Sequence, residues 1–355
     1  MRCPECERIK SLIHKNSNLY FHFPTDNTFS KFAMFLGTQD YDYQSDKQSI
    51  MVKLGEDQIE NFLLRAAEYL EENEIAHTQV MIVDADNDNG TFQTKDFHRI
   101  VTLKELKGYV EGRWLIDILE KRSFTSHFQP IFQKNGKDVF GYEALFRGKN
   151  SQGEIIPPDK MFGLATDANL LFQLDLAARC SAVDGAAEKN LGDQKLFINF
   201  NPSSIYDPSY CLKETTSYIA DKGIEPSQII FEVVESHRVE NSKHLRGILS
   251  FYRKAGFDVA LDDVGSGYSS LNLMRDLKPS YVKVDMGLIR NIHQDDYRQN
   301  IVKNLIGMCH ANQGKVICEG VETEEEYNWL VENKADLLQG FYLAKPSQDL
   351  FNPAS

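Results

Sequence analysis

The chain has 355 residues, 42% of them apolar and 26% charged, so it can bury a core, and both a disulfide-stapled miniprotein and a disordered chain are excluded. Its 39 basic and 52 acidic residues leave a formal charge of -13, which argues against wrapping a nucleic acid polymer or adhering to an anionic membrane. No apolar run is long enough to span a membrane, MRCPECERIK lacks the apolar stretch of a secretory signal, and the 6 cysteines are scattered, so a cytoplasmic protein with reduced thiols is expected.

Cys3 and Cys6 form C-x-x-C, half of a zinc site whose other two ligands cannot be identified; His14 and His22 follow at spacings unlike those of standard fingers. The alternative is a pair of exposed thiols. From Leu19 to Asp84 the runs LYFHF, SIMVKL and QVMIVD read as strands, separated by the helices FSKFAMFL and DQIENFLLRAAEYLEENE. This predicts a small α/β module. In the second helix Ile59, Phe62, Leu63, Ala66 and Leu70 share one face, which predicts burial against the strands.

DADNDNGT, starting at Asp84, imitates a calcium loop, but Gly90 comes one place late and Lys95 stands where a bidentate Glu belongs, so it reads as a solvated turn. Leu103, Leu106, Val110, Trp114 and Ile118 mark a helix leading out of the module, with Gly108 and Gly112 weakening its first half. The expected organisation is an accessory domain over 1–110, a helical connector over 111–125 and a larger domain over 126–355.

After Ser126, strand-like segments alternate with helix-compatible stretches: HFQPIF, GYEALFR, LFINF, IIFEVVE, DVALDDV, YVKVDM, KVICEGV and LLQGF. Eight of them over roughly 220 residues predict a modified (β/α)8 barrel of the TIM type. Only QKNGKDV joins the first two, too short for a crossover helix, so one strand near the start should run antiparallel.

Polar residues gather at the trailing ends of these segments, where barrels build their sites: Glu143, Asn199, Glu232, Asp262, Asp263, Lys283, Glu319 and Gln339. Asp262 and Asp263 are adjacent and cannot both face inward from a regular strand, so the strand should end between them, with Gly265 and Gly267 opening a sharp loop. Five carboxylates around one inward lysine would repel one another, and divalent cations are the natural remedy. Carboxylate and amide oxygens without histidine or cysteine suit two Mg²⁺ or Mn²⁺ ions, which could activate water against a phosphodiester. Any one acidic residue alone reads more readily as exposed or salt-bridged; it is the set that argues for metal.

The linked motifs FQPIF, EALFR, INFNPSS, FEVVES, LDDVGSGYSSL, VKVD, EGVETEEE and QGFYLAKP, from about Ser126 to Pro346, resemble the EAL-domain phosphodiesterases that hydrolyse cyclic di-GMP to the linear dinucleotide pGpG. That resemblance implies Glu143, Asn199, Glu232 and Asp262 as ligands of one metal, and Asp262, Asp263 and Glu319 as ligands of the second. Lys283 corresponds to the lysine near the hydrolytic water, Gln339 to its supporting glutamine, and Glu235 to the glutamate that anchors the loop from Asp263. Gln129, Glu143, Leu145, Arg147 and Pro346 fall at substrate-contacting positions. A homodimer paired through the barrel and a regulatory role for the attached domain are implied in the same way. Val264 replaces a usual phenylalanine and Cys318 a small residue; neither removes a ligand. The rival expectation is a receptor that binds cyclic di-GMP without cleaving it.

Overall fold

A computed structural model of the chain describes residues 16–39, 41–85, 97, 99–205, 208–234, 242–267 and 270–352. Two compact units emerge, one of Met1–Ser123 with Ile156–Leu174, the other of Phe124–Ile155 with Asp175–Ser355. No helix among the described residues is long and apolar enough to cross a membrane.

The first unit is built on an antiparallel sheet in which β1 (Asn16–His22) pairs with both β3 (Ser49–Gly55) and β4 (Gln79–Asp84). β2 (Tyr43–Asp46) and β5 (Ile100–Thr102) extend its edges, giving the order β2-β3-β1-β4-β5. Alternation along β1 buries Leu19 and Phe21 on one face, where Phe32 and Phe35 of α1 (Asp26–Gly37) and Phe62 of α2 (Glu56–Glu68) meet them. Phe21 and Phe32 stack tilted, with ring centroids 4.7 Å apart. Each such ring removed from water stabilises the fold by about 1.5–3 kcal/mol. Thr25 caps α1 by accepting the N–H of Thr28.

The single helix expected after β3 is interrupted: α2 stops at Glu68, and α3 (Glu72–His77) begins after Glu71, whose N–H is held by the Glu74 carboxylate at 2.9 Å. The helix expected to lead out of the module also divides, into α4 (Leu103–Glu111) and α5 (Arg113–Glu120), with Gly112 at the junction. Leu103, Leu106 and Tyr109 of α4 lie in the core of this unit. The helix α6 (Pro158–Asp167) joins the same unit. A Cβ on Gly108 would lie 2.5 Å from the Asp167 backbone, so only glycine permits that approach.

The second unit is an eight-stranded closed barrel of β6 (Phe124–Gln133), β7 (Val139–Lys149), β9 (Lys195–Asn199), β10 (Ile229–Val234), β11 (Asp258–Val264), β12 (Tyr281–Val284), β13 (Lys315–Cys318) and β14 (Leu337–Leu338); a two-residue β8 (Ile155–Ile156) lies beside β7. Seven of the eight run parallel, while β6 runs antiparallel to both β7 and β14 and closes the ring. The hairpin expected from the short QKNGKDV joint is therefore present. Ile131, Phe197, Ile230, Ala260, Tyr281, Ile317 and Leu337, one from each strand but β7, fill the interior with an apolar layer, and Phe140 of β7 packs against it. Ile131 pairs with Gly141 and the next residue, Phe132, with Val139, so Phe140 is the extra residue of a bulge in β7.

Helices α7 (Leu171–Glu188), α8 (Pro208–Asp221), α9 (Ser242–Lys254), α10 (Ser270–Leu277), α12 (Asp296–Ala311) and α13 (Glu324–Glu332) follow the strands; a one-turn α11 (Met286–Ile289) follows β12. Beside this barrel lies a polar hub that the sequence reading did not anticipate. Arg179 of α7, fully buried, pairs with Asp175 at 2.9 Å and donates to the Thr215 hydroxyl of α8. Asp175 in turn accepts the Asn201 N–H at 2.8 Å and the Ser204 hydroxyl at 2.9 Å. The turn just beyond Asn199 is thereby pinned from behind.

Candidate metal centre at the barrel mouth

Side chains two residues apart on a strand share a face, so whatever follows the apolar layer by two residues points into the same lumen, one step nearer the mouth. Those positions are Asn199, Glu232, Asp262, Lys283, Glu319 and Gln339. On the reversed strand β6 the step runs the other way, to Gln129, which pairs with Glu143 of β7. An apolar floor thus carries a ring of polar groups.

Lys283 stands at the centre of that ring and is 1% exposed. Its Nζ lies 2.7 Å from Glu319 Oε1, 2.8 Å from Glu232 Oε1, 3.1 Å from Asp262 Oδ1 and 3.3 Å from Glu143 Oε2. Burial opposes its charge, but the surrounding carboxylates outweigh burial and hold Lys283 well above the usual lysine range. Glu143 is the best satisfied of the acids, accepting from Asn199 Nδ2 at 3.0 Å and Gln339 Nε2 at 2.8 Å. Although burial raises it, Lys283 and the two amides bring Glu143 below its ordinary value. Burial drives Glu232 and Glu319 well above theirs and raises Asp262, with neighbouring carboxylates adding to the rise.

The strand predicted to stop between Asp262 and Asp263 does not stop there: β11 continues to Val264 through an irregularity in its pairing with β12. Asp263 takes a left-handed conformation (φ 55°), and its N–H bonds Asp262 Oδ1 at 2.9 Å. That local bulge, rather than a chain end, lets adjacent aspartates share a site. Val264 is fully buried opposite Val284, so the position usually held by phenylalanine is packed here by the smaller side chain. Gly265 follows at φ 106°, where a Cβ would lie 2.3 Å from Leu288.

One carboxylate oxygen each from Glu143, Glu232 and Asp262 lies within 4.8 Å of the others, and so do oxygens of Asp262, Asp263 and Glu319. Glu232 is fully buried, and its Oε2 has no hydrogen-bond partner among the described residues. An unpartnered buried carboxylate oxygen within an all-oxygen donor set fits a hard divalent cation. The Asn199 amide, which donates to Glu143, leaves its carbonyl oxygen to serve as a further donor.

β7 continues past Glu143, and alternation places Leu145 and Arg147 on the same side, opposite His127 and Thr125. Pro346 precedes Ser347, whose N–H and C=O both pair with Phe128, so it lies beside the strand that carries Gln129. Glu326, fully buried, was not singled out in the sequence although Thr323 and Glu326 form a legible capping box; its carboxylate accepts the N–H groups of Asn291 at 2.8 Å, Glu322 at 2.8 Å and Thr323 at 3.2 Å. It fixes the loop that follows Glu319. Glu235, Cys3, Cys6 and His14 lie outside the described residues, as does the DADNDNGT turn beyond Ala85.

Two predictions arise from this geometry. Burial and the neighbouring Asp262 push Asp263 up to about 6 from an ordinary 3.8. A carboxyl whose value is raised by folding takes up a proton on folding at intermediate pH, so stability falls as pH rises through the folded-state value. In chelator, thermal stability should drop between about pH 4 and 6, from the ordinary value to the raised one, with Asp263 contributing about 1–2 kcal/mol after discounting its exposed part. A melting temperature that climbs across that window would contradict the assignment. Second, a Cβ on Gly340 would lie 2.1 Å from the Val321 carbonyl oxygen, so Gly340→Ala should force Gln339 out of place. The expected cost is about 2–3 kcal/mol in urea denaturation, and a neutral result would sink the prediction.

An α/β barrel with a reversed first strand and a mouth of five carboxylates around a lysine defines the EAL class of domain. The EAL domain model matches residues 113–346, and the chain belongs to that family. It is 30% identical over 237 residues to the bifunctional diguanylate cyclase/cyclic di-GMP phosphodiesterase MucR of Pseudomonas aeruginosa, covering 64% of this chain and 34% of that one. The matched part of this chain spans between 27% and 53% of the length of such curated relatives. A standalone EAL protein from Vibrio cholerae, solved with c-di-GMP bound, is 39% identical, with a TM-score of 0.59 over 65% of this chain and 96% of that one. BlrP1 of Klebsiella pneumoniae, solved with calcium and c-di-GMP, is 21% identical with a TM-score of 0.60, covering 94% of this chain and 97% of that one; at that identity it shows fold alone.

Proposed function

We propose that this chain hydrolyses cyclic di-GMP to linear pGpG with the aid of two divalent cations, Mg²⁺ or Mn²⁺. The observation that carries the reading is the complete ring of oxygen donors, including the unpartnered Glu232 Oε2, in a domain of the EAL family. Glu143, Asn199, Glu232 and Asp262 would hold one ion, and Asp262, Asp263 and Glu319 the other. Ions held there would polarise a phosphodiester and lower the pKa of water.

The protein's own groups do the rest. Lys283 supplies positive charge where the phosphate's negative charge grows, and Gln339 keeps Glu143 oriented through its 2.8 Å bond. Arg147 is suited to pair with a phosphate, while Gln129, Leu145 and Pro346 line the approach. Glu235, by its position in the family's motif, would anchor the loop that starts at Asp263. The N-terminal unit would modulate the barrel, and two copies would pair through their barrels; a zinc ion at Cys3 and Cys6 is a separate proposal, decided by metal analysis.

The test is incubation of the full chain with cyclic di-GMP and Mg²⁺ or Mn²⁺, followed by chromatography. Linear dinucleotide that appears only with the cation, and disappears with chelator, supports the reading. Binding without product would instead make the chain a receptor, and fast cleavage of a different phosphodiester would overturn the substrate assignment.

A further inference from the structure

The charges of the ring do not balance within the protein. With every carboxyl deprotonated, as metal ligation requires, Glu143, Glu232, Asp262, Asp263 and Glu319 face one ammonium, that of Lys283, leaving four formal negative charges in a site closed below by apolar side chains. Two divalent cations would bring that sum to zero. The oxygens that Lys283 approaches, Glu143 Oε2, Glu232 Oε1, Asp262 Oδ1 and Glu319 Oε1, belong to four of the five acids offered to those cations. A buried charge at 2.7–3.3 Å is poorly screened by solvent or salt.

We propose that Lys283 acts as a built-in counter-charge that weakens the site's hold on divalent cations, so that removing its charge tightens cation binding while impairing hydrolysis. The inference rests on reading the ring as a divalent-cation centre. Its physical basis is competition for shared oxygens together with like-charge repulsion between ammonium and cation. With Lys283 present, the filled site is neutral and also accommodates the negative phosphate. Without it, the same two cations leave one negative charge uncompensated, which favours the ions and disfavours an anionic substrate. Lys283 is thus a residue that sets cation affinity, separately from any contact with water or substrate.

The experiment is isothermal titration of the full chain with MnCl₂, without nucleotide, for wild type, Lys283→Met and Lys283→Arg. Methionine keeps most of the side chain, one atom shorter, and loses the charge; arginine keeps the charge. Lys283→Met should bind Mn²⁺ on the order of tenfold to a hundredfold more tightly than wild type, and Lys283→Arg no more tightly than wild type. Equal or weaker binding by Lys283→Met overturns the inference. Tight binding by Lys283→Arg does so too, because charge would then not be the cause. A wild type that takes up no Mn²⁺ overturns the metal-centre reading itself, a distinguishable result. If Lys283→Met folds only when purified with Mn²⁺, the rate at which a chelator strips the ion replaces the titration: slower loss than wild type supports the proposal, and equal or faster loss refutes it.

Discussion

Glu143→Ala should abolish cyclic di-GMP hydrolysis, by a factor of about 10³ or more, while leaving the barrel folded. The variant removes an oxygen donor and also strands the Asn199 and Gln339 amides that bond it. It relieves repulsion at the same time, since Glu143 raises the pKa values of Glu232, Asp262 and Glu319. These effects oppose each other, so the melting temperature in chelator should move little, whereas the gain in melting temperature on adding Mn²⁺ should shrink. Product formation followed by chromatography, alongside thermal unfolding with and without Mn²⁺, checks both halves. Retention of a tenth or more of the wild-type rate would contradict the role given to this residue.

Cutting the hub behind the ring should have the largest effect on stability. Removing one member of a buried ion pair leaves the other uncompensated, at a cost of about 3–5 kcal/mol. Arg179 and Asp175 are 0% and 2% exposed, and the Asp175 carboxylate also holds the Asn201 N–H and the Ser204 hydroxyl. Asp175→Ala should therefore destabilise the barrel by about that amount, and Arg179→Met by a similar one. Replacing both with apolar residues should cost less than the sum of the single changes, because no charge is then left unpaired. Trp329 of α13 reports on the barrel in a Trp114→Phe background, so urea denaturation followed by its fluorescence measures that unit. Losses below 1 kcal/mol for both single variants would show that the hub does not hold the barrel together.

The sequence disclosed the barrel because its strands are apolar runs, which burial on both faces of a parallel sheet imposes, and because polar residues collect at their trailing ends, where barrels build their sites. The reversed first strand was legible from one short joint. Other features left little trace. All four residues of β2, YQSD, are exposed, so this edge strand lacks the alternation by which a half-buried strand is recognised. Asp263 joins the site through a left-handed backbone and a bulge, and neither is encoded by side-chain periodicity. The grouping of Ile156–Leu174 with the first unit depends on Gly108 admitting the Asp167 backbone, a contact between residues far apart in the chain. Arg179 and Asp175 stand one helical turn apart, a spacing common to exposed pairs, and nothing local announces that α7 is enclosed on that side.

The apolar layer beneath the ring makes the lumen a dead end. Seven strands each contribute a buried side chain to it, and water has no passage through such a floor. Whatever reaches the acidic ring must leave by the doorway through which it came. Under the proposed function, a cleaved dinucleotide would have to vacate before the next ring-closed molecule could settle, and the leftover of one turnover would become a rival for the following one.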